Sequence, residues 1–421
     1  MSDRAISVQV VESLRKGIPP QRGVNRYSVG NEKLIEGISK YHLSGIKDRG
    51  IIRFISGSWG AGKTHLFRQL REMAFQSNCL VSNVELDTTS TALNKFEQVF
   101  YAIIRQITSM SSDENQDSGN VAPFGIVLRE ALCILGSGNR ALGQDISYEY
   151  YKKASDLLMA NHHIDIDFKK MVQEYWKTYL PDAGDIGLVE QARGEILQWF
   201  GGEGIVSIFR KRYGVSKAVG RQNAKLMLQS LAGFVHLAGY AGLVILFDEA
   251  EQAYSIMRKS ALRDAHNNLL SLINNIETLP GLFLIYATTP DFFNDHRHGI
   301  VINGALAGRL GKPEERMPRA LDTIWNLDAT ETNLSDYQAA AIKIKKVYEE
   351  AYPEIVTLMS SDEKIMEKVA ELQNMYPSAA AIRFWRIMVT AMILDFDDLS
   401  DGQSRPTEKL YYDVMDRLKE S

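Results

Sequence analysis

The residues best suited to chemistry lie in a glycine-rich segment, residues 57–64, with the spacing G-x-x-x-x-G-K-T. Glycines let backbone N–H groups turn toward a polyphosphate, and the lysine and threonine suit the β- and γ-phosphates and Mg²⁺. An apolar run beginning at Ile51 precedes the segment and a helical pattern follows it, as this motif requires. The sequence therefore predicts a nucleoside triphosphate site whose contacts are Gly57, Ser58, Trp59, Gly60, Ala61, Gly62, Lys63, Thr64 and His65.

Two carboxylates, Asp248 and Glu249, follow the apolar run 243–247. A continuous apolar run is typical of a central parallel strand, and the carboxyl end of such a strand would lie beside the phosphate loop. Asp248 is predicted to hold Mg²⁺ together with Thr64, and Glu249 to activate the attacking water as a general base. The alternative for an Asp-Glu pair by itself is a helix N-cap with an acidic first turn.

Another polar residue ends the next apolar run, 282–287. Thr288 is predicted to hydrogen-bond the attacking water or the γ-phosphate, and Thr289 is the second choice. The alternative is a threonine that only forms a turn before Pro290.

Arginines are candidates for stabilising charge on the γ-phosphate. Arg309 is predicted to be an arginine finger that completes the site of a neighbouring subunit, ahead of Arg263 and Arg319. An ordinary surface arginine is the alternative. Arg383, in a C-terminal helix, is predicted to reach the phosphates, unless its stem packs on the core instead.

The elements that must position these residues alternate between strand and helix near the motifs and become helical elsewhere. Strands are predicted from residue 51 and over 80–86, 243–249, 282–287 and 324–327. Helices are predicted over 5–16, from 29 to about 43, and over 63–76, 93–107, 223–237, 258–276, 334–351, 362–373, 379–395 and 406–419. The polar segment 109–120 is predicted to be a mobile loop.

This pattern predicts an α/β fold with a parallel sheet core, a helical insertion and a C-terminal helical lid domain. The aromatic residues of the insertion are expected to form a core of their own rather than a base-stacking platform. Its basic residues near 210–225 are interpreted as a solvated face, with a nucleic-acid or partner surface as the alternative. The predicted units are 1–50 (N-terminal helices and adenine-side segment), 51–107 (first part of the core), 108–221 (insertion), 222–330 (second part of the core) and 331–421 (lid).

Composition narrows the class of protein. The chain has 421 residues, of which 45% are hydrophobic and 24% charged, and its net charge is −4. These values are those of an ordinary globular protein with two or three structural units and no global attraction to nucleic acid. Two cysteines exclude a disulfide framework, and neither a signal peptide nor a membrane span is visible. We therefore expect a cytoplasmic protein without membrane contact.

Several stretches resemble the ATP-binding proteins of BREX and related bacterial anti-phage systems, within the AAA+ and STAND-like P-loop ATPases. The stretches are LRKGIPP (14–20), VG (29–30), RFISGSWGAGKT (53–64) and AGLVILFDEAE (241–251). The resemblance extends from about residue 5 to residue 395. It implies ATP and Mg²⁺ as cofactors, with Gly57, Gly60, Gly62, Lys63, Thr64, Asp248 and Glu249 in the roles given above. It also implies work beside other defence proteins, such as a helicase.

The favoured hypothesis is an ATPase that forms a homo-oligomeric switch or motor and acts on DNA or on DNA-bound partners. The alternative is a slowly hydrolysing, ATP-dependent scaffold or sensor without direct DNA action. A small-molecule kinase is disfavoured, because a kinase has less need of a water-activating residue such as Glu249.

Overall fold

The computed structural model of the chain describes residues 3–87, 91–111, 122–140, 146–250, 257–377 and 383–420. At its centre lies a six-stranded sheet with the strand order β3-β2-β4-β5-β1-β6. All neighbouring strands are parallel except β2 and β3. The predicted α/β fold with a mostly parallel sheet is therefore confirmed. The strands are β1 (Ile51–Ser56), β2 (Cys79–Glu85), β3 (Ile107–Thr108), β4 (Gly242–Asp248), β5 (Leu282–Thr288) and β6 (Ile324–Asn326).

Helices cover both faces of this sheet and continue into a C-terminal group. From the N-terminus they are α1 (Asp3–Arg15), α2 (Glu32–Ile38), α3 (Lys63–Gln76), α4 (Phe96–Gln106), α5 (Pro123–Ser137) and α6 (Tyr148–Ala160). Next come α7 (Ile166–Lys177), α8 (Ile186–Phe200), α9 (Val206–Tyr213), α10 (Ala224–Leu237) and α11 (Lys259–Asn275). The last are α12 (Asp291–Asn294), α13 (Gly304–Leu310), α14 (Leu334–Ala351), α15 (Asp362–Met375), α16 (Phe384–Ser400) and α17 (Thr407–Glu420).

The central strands are apolar along their whole length because helices cover them on both sides. Every residue of β5 is buried, as is every residue of β4 before Asp248. At the start of β4 the two backbones approach so closely that a Cβ built on Gly242 would lie 2.5 Å from the carbonyl oxygen of Gly281. Only glycine fits at this position, so residue 242 fixes where β4 begins beside β5.

One hydrophobic cluster joins a face of the sheet to the helices of the middle region. It includes residues of β4 and β5 together with residues of α4, α5, α7, α8, α10 and α11. Several aromatic residues of the predicted insertion are fully buried in this cluster, among them Phe168, Trp176 and Trp199. These aromatic residues were expected to form a core of their own, but their core is continuous with that of the sheet. The reason is that α10 packs both on the sheet and on the helices of the insertion. Tyr148 is exposed.

The N-terminal helix packs with the C-terminal helices. Val10, Val11 and Leu14 of α1 are buried in one cluster with residues of α14 to α17. Arg15 donates from Nε and Nη2 to the two carboxylate oxygens of Asp397 at 2.8 and 2.7 Å. The bidentate geometry fixes the register of α1 against α16. The first and last parts of the chain thus share one core.

The strands predicted from the sequence are present, whereas two local predictions are wrong. Residues 107–108 form β3, paired antiparallel with β2, where the sequence predicted the end of a helix. The helix predicted to begin at residue 379 begins at Phe384 and runs to Ser400. Residues 378–382 lie outside the described residues, as do residues 112–120 of the predicted loop 109–120.

None of the helices in the described ranges combines the length and the apolar character that crossing a bilayer would need.

A buried histidine couples the fold to pH. His42 lies in a π-helical turn, Ser39–Leu43, and its Nε2 donates to the carbonyl oxygen of Ala320 at 2.7 Å. The rings of Phe283 and Trp325 pack against it. Burial lowers the pKa of His42 to about 4, because the charged imidazolium would lose its hydration.

This depressed pKa predicts acid destabilisation through His42. The unfolded chain takes up a proton below pH 6.5, whereas the folded protein resists it down to about pH 4, so stability is lost as the pH falls through that window. Between pH 7 and pH 5 we expect this residue to remove about 2 kcal/mol of unfolding free energy. His42→Gln keeps a donor for Ala320 but does not titrate, so urea unfolding of this variant should depend less on pH. Equal pH dependence in both proteins would contradict the prediction.

Candidate functional site

The glycine-rich loop between β1 and α3 has the backbone conformation of an anion-binding turn. Gly60 and Gly62 have φ values of 77° and 94°, which L side chains rarely adopt. Gly62 caps α3 without any side-chain hydrogen bond, so the first N–H groups of this helix are not satisfied by a capping side chain. A Cβ built on Gly62 would meet no atom within 4 Å. The loop and the positive end of α3 therefore form an open cradle that fits a phosphate.

Lys63 is held inside this loop. It is only 9% exposed, and its Nζ donates to the carbonyl oxygen of Gly57 at 2.8 Å. The Nζ also lies 5.6 Å from the centroid of the Trp59 ring, and Trp59 is 64% exposed. The cation is thus positioned under an exposed indole and beside the cradle, where a phosphate could replace the weaker carbonyl acceptor.

The strand that carries the carboxylates ends one strand away from the loop, because β5 lies between β1 and β4. Burial raises the pKa of Asp248 at the end of β4. A hydrogen bond with the Thr64 hydroxyl and the charges of Lys63 and Arg68 act in the opposite direction. The structure therefore brings together the two residues predicted to hold Mg²⁺, Thr64 and Asp248. Arg68, one turn further along α3, is a neighbour that the sequence did not indicate.

Glu249 has an unusual backbone conformation. Its φ is 56°, and its N–H donates to Oδ1 of Asp248 at 3.0 Å. A non-glycine residue with positive φ is uncommon, and such conformations cluster at functional sites because the surrounding structure must hold them in place. The chain turns sharply after β4 and places two adjacent carboxylates at the edge of the sheet.

A buried hydroxyl without a partner lies between the two motifs. Thr288 ends β5 opposite Ser56 of β1, and its carbonyl accepts from the N–H of Gly57 at 3.1 Å. Both the Thr288 Oγ1 and the Ser56 Oγ are buried and have no hydrogen-bond partner within the described ranges. An unsatisfied buried polar group costs about 1–3 kcal/mol, so a ligand or a water is expected to complete this position. Thr289, the second choice, is 7% exposed.

Arg383 contacts the phosphate loop directly. Its Nη2 donates to Oγ of Ser58 at 2.5 Å and to Oδ1 of Asp328 at 3.0 Å. Asp328 also accepts from the Ser58 N–H at 2.8 Å. A Cβ on Gly60 would approach Cγ of Arg383 to 3.0 Å. The arginine predicted to reach the phosphates therefore lies on the loop that would hold them.

Asp328 is the site residue that sequence reasoning missed. It follows β6, whose pairing with β1 places Asn326 beside Ser56. The signal was present in the sequence, because a polar residue just after a parallel strand lies at the same edge as the phosphate loop. The identity of its partner could not be inferred, since Arg383 is distant in the chain.

Two predicted residues lie apart from the loop backbone. His65 points toward the N-terminal segment, where its Nε2 lies 2.8 Å from Oγ of Ser28 and its ring packs edge-on against Tyr27. Burial lowers the pKa of His65 to about 4. Arg309 is exposed on α13, and within the described part of the chain it has no hydrogen bond or ion pair. Among the described residues, no hydrogen bond or ion pair joins the Arg309 side chain to the phosphate loop or to the strand ends of its own chain.

The fold and this site define the class of protein. It is a mixed α/β protein with a P-loop-like nucleotide site at the carboxyl ends of the strands of a mostly parallel sheet. The chain belongs to the family of BREX system ATP-binding proteins BrxC/D, whose family model matches residues 3–413. No curated protein matches the chain. The family name gives ATP as the ligand and the BREX system as the biological setting. In the described ranges no group of three or more His, Cys, Asp and Glu side chains is arranged to hold a metal.

The contact between Asp328 and the loop predicts an effect on ATP affinity. This carboxylate accepts a hydrogen bond from the Ser58 N–H and forms an ion pair with Arg383. Its negative charge would also repel a polyphosphate. Asp328→Asn should therefore bind ATP about threefold to tenfold more tightly in a titration, whereas Arg383→Gln should bind it more weakly.

The matched control is Asp322→Asn, which removes a carboxylate paired with Arg316 before β6 and should leave the affinity unchanged. Weaker ATP binding by Asp328→Asn would show that the carboxylate shapes the loop for ATP rather than competing with it.

Proposed function

We propose that this protein hydrolyses ATP and works as an oligomeric switch or motor in bacterial anti-phage defence, together with DNA-acting partner proteins. Membership of the BrxC/D family supports ATP binding and the BREX setting. The observation that carries hydrolysis is the left-handed backbone of Glu249, directly after the half-buried Asp248 at the end of β4. This conformation supports a functional role for Glu249, whose carboxylate, next in the chain to the one suited to Mg²⁺, would take a proton from a water.

The proposed mechanism gives each side chain one task. The loop N–H groups and the N-terminus of α3 bind the phosphates, and Lys63 leaves the Gly57 carbonyl to pair with the β- and γ-phosphates. Thr64 and Asp248 would hold Mg²⁺, which neutralises charge on the phosphate oxygens when bound. Glu249 accepts a proton from the attacking water, and Thr288 orients that water or the γ-phosphate.

The contact of Arg383 with the phosphate loop supports an AAA+-like arrangement with a helical lid. We propose that residues 331–421 act as this lid and 108–221 as a helical insertion. On this proposal 51–107 and 222–330 form the ATPase core, and 1–50 carries the adenine-side segment. Glu72 of α3 accepts hydrogen bonds from the backbone N–H groups of Val24 and Asn25, which keeps that segment close to the loop helix.

The basic residues near 210–225 give little support to direct DNA binding. Arg212 pairs with Glu195, Lys217 with Asp165, and Arg221 approaches Asp264 at 3.9 Å. Carboxylates thus offset part of the positive charge that a phosphate backbone would need. We propose that DNA action goes through partners such as a helicase, and that the protein works in the cytoplasm.

A second candidate function is a slowly hydrolysing ATP-dependent scaffold or sensor. It is favoured by the contacts of Arg383 with Asp328 and Ser58, because they join the C-terminal helices to the loop through an arginine that ATP could also bind. ATP would then change the partner surface mainly by competing for Arg383. Strong stimulation of ATP turnover by duplex DNA or by a DNA-bound partner would favour the switch or motor over the scaffold.

The proposed base gives a direct test of hydrolysis. Glu249→Gln should keep ATP binding, because the amide is isosteric, but should lower turnover by about 10²- to 10⁴-fold, the usual contribution of a positioned base. Phosphate release and ATP titration measure the two quantities. The matched control is Glu85→Gln, at the end of the neighbouring strand β2 opposite Asp248, which should hydrolyse ATP normally. Equal turnover in Glu249→Gln and wild type would remove Glu249 from the mechanism.

We propose that Arg309, which is exposed on α13, acts across a subunit interface. Arg309→Ala should bind ATP but lose about 10³-fold or more in turnover, since a finger stabilises charge only in the transition state. Lys63→Ala should lack ATP binding but keep its own Arg309. Mixing the two inactive variants should restore turnover above their sum, with light scattering used to confirm the mixed assembly.

Arg263 is a competing candidate for the arginine finger. If Arg309 is the finger, the variant Arg263→Ala should hydrolyse ATP normally. A lack of recovery in the mixture, despite assembly, would contradict a finger supplied by the neighbouring subunit.

A further inference from the structure

A pocket of about 330 Å³ lies in the helical region, formed by residues outside the loop and strand ends of the ATP site. Its walls are α5, α8 and the connection that follows α7. The polar side chains lining it are Arg129, Thr178, Tyr179, Glu190 and Arg193. None of these residues belongs to the phosphate loop or to the strand ends that form the ATP site.

Two arginines share one tyrosine ring in this pocket. The guanidinium carbon of Arg193 lies 3.8 Å from the centroid of the Tyr179 ring, and that of Arg129 lies 5.0 Å from it. Arg193 is also fixed in place, because its Nε donates to Oγ1 of Thr178 at 2.9 Å and its Nη2 to the Thr178 carbonyl at 3.0 Å. The ring and the backbone thus hold two positive charges together at the wall of one cavity.

Among the described residues, neither arginine of this pair has a carboxylate in direct contact, although Glu190 lines the same pocket. Within the described ranges no carboxylate lies within the 4.0 Å ion-pair distance of Arg129 or Arg193, and Glu190 of the same pocket lies beyond it. The Nε of Arg129 is buried and has no hydrogen-bond partner among the described residues. Like charges on one ring repel each other, so a bound anion would relieve this repulsion.

The remaining lining of the pocket is apolar. Leu180, Ile186 and Val189 contribute to its wall, and Ile186 is 79% exposed at the surface. The volume falls in the lower range of small-molecule sites and exceeds what a bare oxyanion needs. An apolar or aromatic group attached to the anion would cover this wall.

We propose that this pocket binds a small organic phosphate, with the phosphate on Arg129 and Arg193 and its organic body against Ile186 and Val189. Guanidinium groups match phosphate oxygens with paired N–H donors, and two of them can share one tetrahedral group. Arg193 is preorganised by Thr178, and Arg129 brings a second guanidinium to the same tyrosine ring. The site is separate from the ATP site, so the protein carries a second ligand position in its helical region.

Calorimetric titration tests the proposal on the full chain, with the phosphate loop filled by a non-hydrolysable ATP analogue so that the probe cannot bind there. The probe is phenyl phosphate, with inorganic phosphate and benzyl alcohol as comparisons. Phenyl phosphate should bind more tightly than either. No binding of phenyl phosphate up to about 10 mM would overturn the proposal. Equal binding of benzyl alcohol or of inorganic phosphate would also overturn it.

The arginine variants give the second readout. Arg129→Gln should bind phenyl phosphate about tenfold or more weakly, because a charged hydrogen-bonding partner is lost, while ATP affinity stays the same. Arg129 makes no hydrogen bond in the described part of the chain, so this variant is expected to fold, which circular dichroism checks. The matched control is Arg221→Gln, an exposed arginine of the same region, which should bind phenyl phosphate as the wild type does. Equal affinity in Arg129→Gln and wild type would overturn the assignment.

Discussion

The parallel pairing of β1 with β5 and β6 is the constraint on which the site depends. Its register places Ser56 beside Thr288 on one side and beside Asn326 on the other. Because the strands run in the same direction, the segments that follow them leave the sheet at one edge. The strand register is therefore sufficient to bring together the phosphate loop, the buried hydroxyl of Thr288 and the carboxylate of Asp328. A change in this register would separate all three.

Burial of β4 and β5 sets the electrostatics at the carboxyl ends of the strands, where the site lies. β4 and β5 are covered by helices on both faces, so Asp248 emerges from an apolar environment that raises its pKa. The charges of Lys63 and Arg68 and the Thr64 hydroxyl offset part of that effect. The result is a carboxylate surrounded by groups suited to phosphate and cation binding. Glu249 follows directly with a positive φ, a conformation that the surrounding structure must hold in place.

The C-terminal helices are tied to this edge and to the N-terminus at the same time. Arg383 joins α16 to the phosphate loop, while Arg15 of α1 binds Asp397 near the other end of α16. α1 and α14 to α17 share one hydrophobic cluster. Movement of the helix group relative to the loop would therefore carry α1 with it.

The sequence by itself determined the α/β core and the residues of its two motifs, because glycine spacing and apolar runs are local signals. It placed the strands around 51, 80, 243, 282 and 324 and indicated Lys63, Thr64 and Asp248, which the structure brings together. Tertiary structure alone decided three things: the pairing of β3 with β2, the single core shared by the sheet and the middle helices, and the contact between Asp328 and Arg383. Each depends on residues far apart in the chain, and periodicity carries no information about which distant partner a residue will meet.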